Sequence, residues 1–376
     1  MGALTKVLTL VVFVRAQRIS GLDMTDGGNR QEHAALCSVF AMAGRKLDIP
    51  MIDPLAEDDY KYIQELNFTV APETWQKKFY KEADRTTVHG DANAASLQNV
   101  GEERHWPDWK EAAQAFRKES KESRVKELLE PPLTSTARVI AAVEVAAIAA
   151  SAWTIKQDYP VLTAEQKAYA ATNPPPDLAK ALFGGGATTA ETVTANDPFG
   201  KSVGSTARDQ ICDVGHANSG IKCATAMLAC VCEPHNAQAT TNGECTEKAK
   251  PVGNWNGGVS GPSQADMQKL AKSCGTPPST KLTRTEIRAS VTHLRSLIHF
   301  DTNDGYLGHY SGTGCNGSKG HGICVKFTNL MTSDKTQFET KTWVAKFVQA
   351  AEIMDSLQQT AAKAAAVNAQ LKNMKV

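Results

Sequence analysis

The stretch that decides the fold is residues 343–374, WVAKFVQAAEIMDSLQQTAAKAAAVNAQLKNM. Trp343, Phe347, Ala350, Met354, Leu357, Ala361, Ala364, Asn368 and Leu371 recur at alternating steps of four and three. That spacing keeps one face of a helix apolar over about four heptads. At 1.5 Å per residue, such a helix runs roughly 45 Å. An isolated helix of this kind is marginal in water, so its apolar face needs partners. Two other segments offer one. Residues 29–47 place Leu36, Phe40, Ala43 and Leu47 on one face, and the Ala-rich run 134–158 reads as a helix buried in a bundle. The expected fold is mainly α: an elongated antiparallel helical bundle or coiled coil with a loop-rich, disulfide-stapled head lobe and minor β.

The rest of the 376 residues fills in that outline. Segments 73–83 and 106–129 are charged and amphipathic, with Trp75, Trp106, Trp109 and Phe116 as apolar anchors. Pro131-Pro132 and the run NPPPD at 173–177 stop helices. Residues 184–220 and 233–262 are rich in Gly, Ser, Thr and Asn and read as loop. Helical patterning returns at 219–232, 263–274 and 284–299. The long helices are placed near 25–50, 134–158 and 338–374, with the head lobe mainly at 184–330.

The formal charge is +1, which gives no electrostatic footing for nucleic acid. Lys6 precedes an apolar run from Val7 to Val14, followed by Arg15 and Ala16. The run is about half of what a spanning helix needs, so residues 1–16 read as a secretory signal peptide, with residues 17–376 as the mature domain. Secretion makes pairing the expected state of the nine cysteines, 37, 212, 223, 230, 232, 245, 274, 315 and 324. An odd count leaves at least one free or bonded elsewhere. Two sequons, at Asn67 and Asn316, fit the same compartment.

Residues 310–324, YSGTGCNGSKGHGIC, carry the main chemical question. Gly312 and Gly317 have the separation of a phosphate-binding loop, but Ser318 and Lys319 stand in the wrong order for it. Cys230, Cys232, His235 and Cys245 are a conceivable zinc set, yet Cys-x-Cys chelates poorly and disulfides compete. Of the nine histidines, His293 and His299 read as a helix-surface and a core-edge residue. No nucleophile elbow and no His-Glu-x-x-His run occurs. The sequence supports no enzyme, no cofactor and no metal site. What remains is a loop in which Cys315 and Cys324 close a small disulfide around an Asn-Gly turn, an exposed tip able to carry sugar.

Three blocks then resemble one known family. NRQEHAALCSVFAMAG is similar to the first-helix signature of trypanosome variant surface glycoproteins of class B, with His33 where an aromatic residue is usual. TAMLACVCEPHNAQATTNGEC resembles that class's Cys-x-Cys…Cys block, and GYLGHYSGTGCNGSKGHGICVKFTNL its Gly-rich Cys…Cys-Val block. YIQELNFTVAPETWQKKF is similar to the segment after the first helix. The blocks stand in family order and span nearly the whole chain.

The resemblance implies a cell-surface coat glycoprotein that shields the parasite's plasma membrane and varies antigenically to evade host antibody. It implies a glycosylphosphatidylinositol (GPI) anchor in the outer leaflet and self-association as a homodimer or homotrimer. The family scaffold also serves nutrient receptors that take up a host serum protein, the alternative reading. Eight cysteines match family positions: Cys37, Cys212, Cys230, Cys232, Cys245, Cys274, Cys315 and Cys324. Cys223 is the extra one and the candidate free thiol. By the same resemblance Ser318, and secondarily Ser311, are candidates for an O-linked hexose. The sequence ends at Val376 without the family's cysteine-rich C-terminal domain or anchor signal, which reads as a fragment.

Overall fold

The computed structural model describes residues 23–97, 103–116, 125, 133–235, 238–253, 255–312, 314–332 and 336–375. The proposed signal peptide and Pro131-Pro132 lie outside the described residues. In chain order the elements are α1 (Arg30–Phe40), α2 (Glu57–Val70), α3 (Glu73–Gln76), α4 (Trp106–Ala115), α5 (Ser135–Gln157), α6 (Ala164–Ala171), α7 (Pro176–Phe183), α8 (Arg208–Ile211), α9 (Ala224–Cys232), α10 (Gln264–Lys272) and α11 (Arg284–Ser296). Strands β1 (His299–Asp301), β2 (Asp304–Tyr310) and β3 (Gly322–Phe327) follow, then α12 (Gln337–Thr340) and α13 (Val344–Met374). The molecule is mainly α, with a small antiparallel sheet and four disulfides. It divides into two compact units: Met1–Asp48 with Ala168–Met354, and Ile49–Lys167 with Asp355–Val376.

The first unit is built around α9. All nine of its residues are buried, and it packs against α1, α7, α10 and strands β2 and β3. A helix buried all round needs partners for its last carbonyls, because water cannot reach them. Asn29, itself buried just before α1, supplies part of that need. Its Nδ2 donates to Val231 O at 2.6 Å and to Ile323 O at 2.7 Å, while its Oδ1 accepts from His309 N at 2.8 Å. One side chain thereby ties α1 to the end of α9 and to both long strands. The strands form a β1-β2-β3 meander, with Leu307 opposite Val325 and Gly308 opposite Cys324. Gly308 is required there. Its φ is +105°, and a Cβ would come within 2.7 Å of Ile323 O and 3.2 Å of Asn29 Nδ2.

The helix expected over 29–47 stops at Phe40. Four turn residues follow, and Gly44 sits at φ +67°, where the left-handed conformation ends the helix. Leu47 is buried, but it reaches the core by pairing in parallel with Leu282, not along a helix face. Arg45 holds this turn by donating to both carboxylate oxygens of Glu286, at 2.5 and 2.9 Å, and to Thr280 O and Lys281 O.

In the second unit α2 packs on α4 and α5. Tyr60, Ile63, Leu66 and Val70 meet Ala149 and Ala152 of α5 and Val367 and Leu371 of α13. A neighbouring aromatic cluster joins Phe68, Phe79 and Trp106, with Trp75, Trp109 and Phe116 against it. Phe79 and Trp106 stack at 5.2 Å.

The heptad face of α13 is buried at Phe347, Ala350, Met354, Leu357, Ala364 and Leu371. Trp343 is buried just ahead of the helix. The polar position, Asn368, binds the backbone at both ends of its amide, accepting from Ala56 N and donating to Pro54 O, each at 2.8 Å. The expected start near 338 is instead a short α12 and a break. Thr342 Oγ1 accepts from Val344 N and opens α13.

Helix α5 corrects a further expectation. It begins at Thr134, whose hydroxyl caps Ala137 N, and ends at Gln157. Yet it is not buried on all sides. Only Ala149 and Ala152 are buried, while Val139, Ile140 and Val143 are 66%, 54% and 69% exposed. Its length and composition would suit a membrane span. The Ala149–Ala152 face packing on α2, with Gln64 donating to Ala149 O, marks a helix of a folded domain.

Replacing Asn29 by Ala removes three hydrogen bonds and strands buried backbone groups. The expected loss is about 3 kcal/mol of unfolding free energy, read by urea unfolding. Exposed Arg30→Ala is expected to stay within about 0.5 kcal/mol.

Candidate functional site

The loop between β2 and β3 is the segment singled out by its sequence. Its backbone is folded on itself. Ser311 N donates to His321 O at 2.8 Å, Ser318 pairs with Gly322 in an antiparallel bridge, and Gly317 N donates to Gly322 O at 2.8 Å. Cys315 and Cys324 are joined, with their Cα atoms 5.0 Å apart. Asn316 forms an Asx turn, its Oδ1 accepting from Ser318 N at 2.9 Å, and its Nδ2 lies 3.1 Å from His321 Nδ1. The Ser311 hydroxyl is held inside the loop by Gly320 O and His321 O. Among the described residues, that of Ser318 reaches only Gln238, at 3.5 Å.

This loop is not a free tip. Cys315 and Gly317 are buried, and Asn316 and Ser318 are half-buried. Gly317 O accepts from His235 N at 2.7 Å, and Gly317 lies flat on the guanidinium of Arg208, where a Cβ would approach within 2.5 Å of Nη1. The reason is the same buried helix end. Arg208 Nη2 donates to Glu233 O, and to Cys230 O at 3.2 Å, so the guanidinium closes the carbonyl end of α9. Its carbon lies 4.3 Å from the ring centre of buried Trp255. Two carboxylates, Glu233 and Glu244, share this interior and bear on the same cation.

Burial pushes Glu233 up to about 8, opposed by the nearby Arg208 charge. Burial also pulls Arg208 down to about 10. Nothing in the sequence announced Arg208 or Glu233. Asn29 was visible as the first letter of the quoted motif, without its role.

The other cysteines pair as Cys37–Cys274, Cys212–Cys230 and Cys232–Cys245. Cys230 and Cys232, two apart at the end of α9, tie that helix to two different segments. The zinc set considered for Cys230, Cys232, His235 and Cys245 is therefore unavailable as thiolates. Cys223 is unpaired and fully buried, and burial pushes its thiol up to about 12. The second sequon lies within α2. Asn67 is half-buried, Phe68 is buried, and the Thr69 hydroxyl donates to Glu65 O at 2.7 Å.

A carboxyl group whose folded value is raised binds its proton more tightly when folded. Glu233 therefore supports folding below its ordinary value near 4.5, and that support declines as pH rises to about 8. The melting temperature is expected to fall across this window, and Glu233→Gln to flatten the fall. Buried Glu244, also raised, leaves a smaller residual slope.

Comparison with known proteins then places the chain. The family model described as "Trypanosomal VSG domain", of the B type, matches residues 8–373. Among curated proteins, variant surface glycoprotein ILTAT 1.23 of Trypanosoma brucei brucei is 25% identical over 352 residues. The match covers 92% of this chain and 65% of that relative, so the chain spans about two thirds of the relative's length. With its buried α9, its Cys-x-Cys staples and a family match running almost end to end, the chain belongs to the trypanosomal VSG domain family.

Proposed function

We propose that this chain is the N-terminal domain of a coat glycoprotein on the trypanosome surface. The observation that carries this reading is the family match across residues 8–373. In this role the protein shields the parasite's plasma membrane and meets host antibody, and variation of its exposed loops evades that antibody. It reaches the surface through a signal peptide and is held there by a GPI anchor. It performs no catalysis, and its near-zero net charge gives it no reason to bind nucleic acid.

The loop supports a sugar-bearing face. Ser318 is the better O-glycosylation candidate, because its hydroxyl has one weak partner while that of Ser311 is held by two carbonyls. Asn316 and Asn67 are the N-glycan candidates. A glycan on Asn316 Nδ2 would displace its contact with His321.

Self-association, as a homodimer or homotrimer, has a candidate surface in the α5 residues Val139, Ile140 and Val143. They lie on an apolar helix and stay in water in the single chain. The double variant Val139→Lys/Val143→Lys is expected to shift the purified domain toward monomer in sedimentation equilibrium, with the melting temperature of a dilute sample little changed. Unchanged association would remove α5 from the interface.

The coat reading is tested by displaying the full-length protein on trypanosomes. Antibody raised to this domain is expected to bind live cells densely, while antibodies to invariant surface proteins lose access. Non-reduced peptide mapping of residues 306–326 is expected to show the Cys315–Cys324 link with added hexose or N-glycan mass. Sparse display with invariant proteins still accessible would overturn the coat role. An unmodified loop would overturn only its sugar-bearing part.

A further inference from the structure

The four disulfides differ in how far water reaches them. Cys212, Cys230, Cys232, Cys245, Cys315 and Cys324 are each at most 2% exposed. Cys37 and Cys274 are only half-buried. Cys274 follows the end of α10, and the next residue, Gly275, is exposed, with no atom within 4 Å of where its Cβ would stand. A dissolved thiol can therefore approach Cys274 and is kept from the other three bonds.

The two sulfurs of this bond are not equivalent. His33, one helical turn before Cys37 on α1, has its ring nitrogens 3.6 and 3.7 Å from Cys37 Sγ. Among the described residues it makes no hydrogen-bond contact with Cys274 Sγ. Its tautomer follows from its other neighbour. The Ser273 hydroxyl donates to Leu270 O at 2.7 Å, so its proton is committed. The Ser273 oxygen, 2.8 Å from His33 Nε2, must then accept, and Nε2 carries the hydrogen. The lone pair is then on Nδ1, 3.7 Å from Cys37 Sγ. In thiol–disulfide exchange the departing sulfur leaves with the electron pair, and at equilibrium the adduct stays on the partner of the sulfur whose thiol form is better received. Once protonated, Cys37 can donate its S–H to Nδ1, a partner Cys274 lacks.

We propose that Cys274 is a modification site for small thiols, with Cys37 as the leaving sulfur and His33 as the residue that positions and receives it. A thiolate attacks Cys274 Sγ and forms a mixed disulfide. The Cys37–Cys274 bond breaks, Cys37 takes the electron pair and a proton from water, and its S–H then donates to His33 Nδ1. The incoming thiol is oxidised to the mixed disulfide and Cys37 is reduced. The product carries the adduct on the segment after α10 and frees α1 from it, while the three buried links persist.

The test treats the native oxidised domain with millimolar glutathione near neutral pH and quenches aliquots in acid until the adduct level is steady. Free thiols are alkylated and the peptides mapped. The expected result is glutathione on Cys274, alkylated Cys37, and the other three disulfides intact. His33→Phe is expected to spread the adduct over both sulfurs. Adduct mainly on Cys37, equal labelling of both sulfurs in the wild type, or exchange at the buried links at the same rate would each overturn the proposal. An unchanged site preference in a folded His33→Phe variant would remove His33 from it. Should that variant not fold, the wild-type labelling pattern still decides which sulfur is attacked.

Discussion

A helix with every residue buried, α9, sets the terms for the unit that surrounds it. Burial of its apolar side chains is favourable, but its last carbonyls are cut off from water. Two side chains meet them. Asn29 takes Val231 O and Arg208 takes Cys230 O and Glu233 O. Each has a second attachment. Asn29 also binds Ile323 O and His309 N, which fixes the sheet, and Arg208 lies under Gly317, which fixes the stapled loop. Helix, sheet and loop are thus coupled through one helix end. The cost is a buried cation, offset by carbonyl dipoles and an aromatic face.

The same constraint explains glycines in and beside the stapled loop, among them Gly317, one of the two with phosphate-loop spacing. Gly308 is needed because a side chain there would strike Ile323 O and the Asn29 amide. Gly317 is needed because the guanidinium occupies the place of its Cβ, and Gly322 because Gly314 O would stand 2.3 Å from one. These positions allow close backbone approach, and the amides of Ser311, Gly317, His321 and Gly322 donate to the loop's own carbonyls.

Local periodicity was legible where packing follows it. The α13 face could be read residue by residue, because a heptad repeat is the direct imprint of a buried stripe. The aromatic anchors Trp75, Trp106, Trp109 and Phe116 were recognisable because large rings seldom stay in water. Legibility failed where a residue's partner is distant in sequence. Asn29 and Ile323 are 294 residues apart, and nothing local tells a buried Arg208 from a surface arginine. Leu47 was assigned to a helix face because its spacing fits, although Gly44 had already turned the chain. The strands β2 and β3 were hidden by their own glycines, which lower strand propensity. Helix α5 misled in the opposite way, since an Ala- and Val-rich run reads as core while its outward residues remain in water within the single chain.

This division of labour separates what holds the first unit together from what faces outward. The groups that hold the first unit together, Asn29, Arg208, Gly308 and the three inner disulfides, all lie below the surface and bind mostly backbone atoms. A contact to backbone does not depend on the partner's side chain, so neighbouring side chains can be exchanged without losing it. Outward stretches such as 185–196 contribute turns and capping contacts, for example Thr194 with Asp197. Small polar residues of many kinds satisfy such contacts. Sequence can therefore drift at such outward positions while the carbonyl end of α9 stays closed. The Cys37–Cys274 bond departs from this pattern. It alone among the four links stands at the boundary with solvent, and it alone has a histidine resting against one of its sulfurs. The chemistry of the surroundings can therefore act on that bond without unmaking the core.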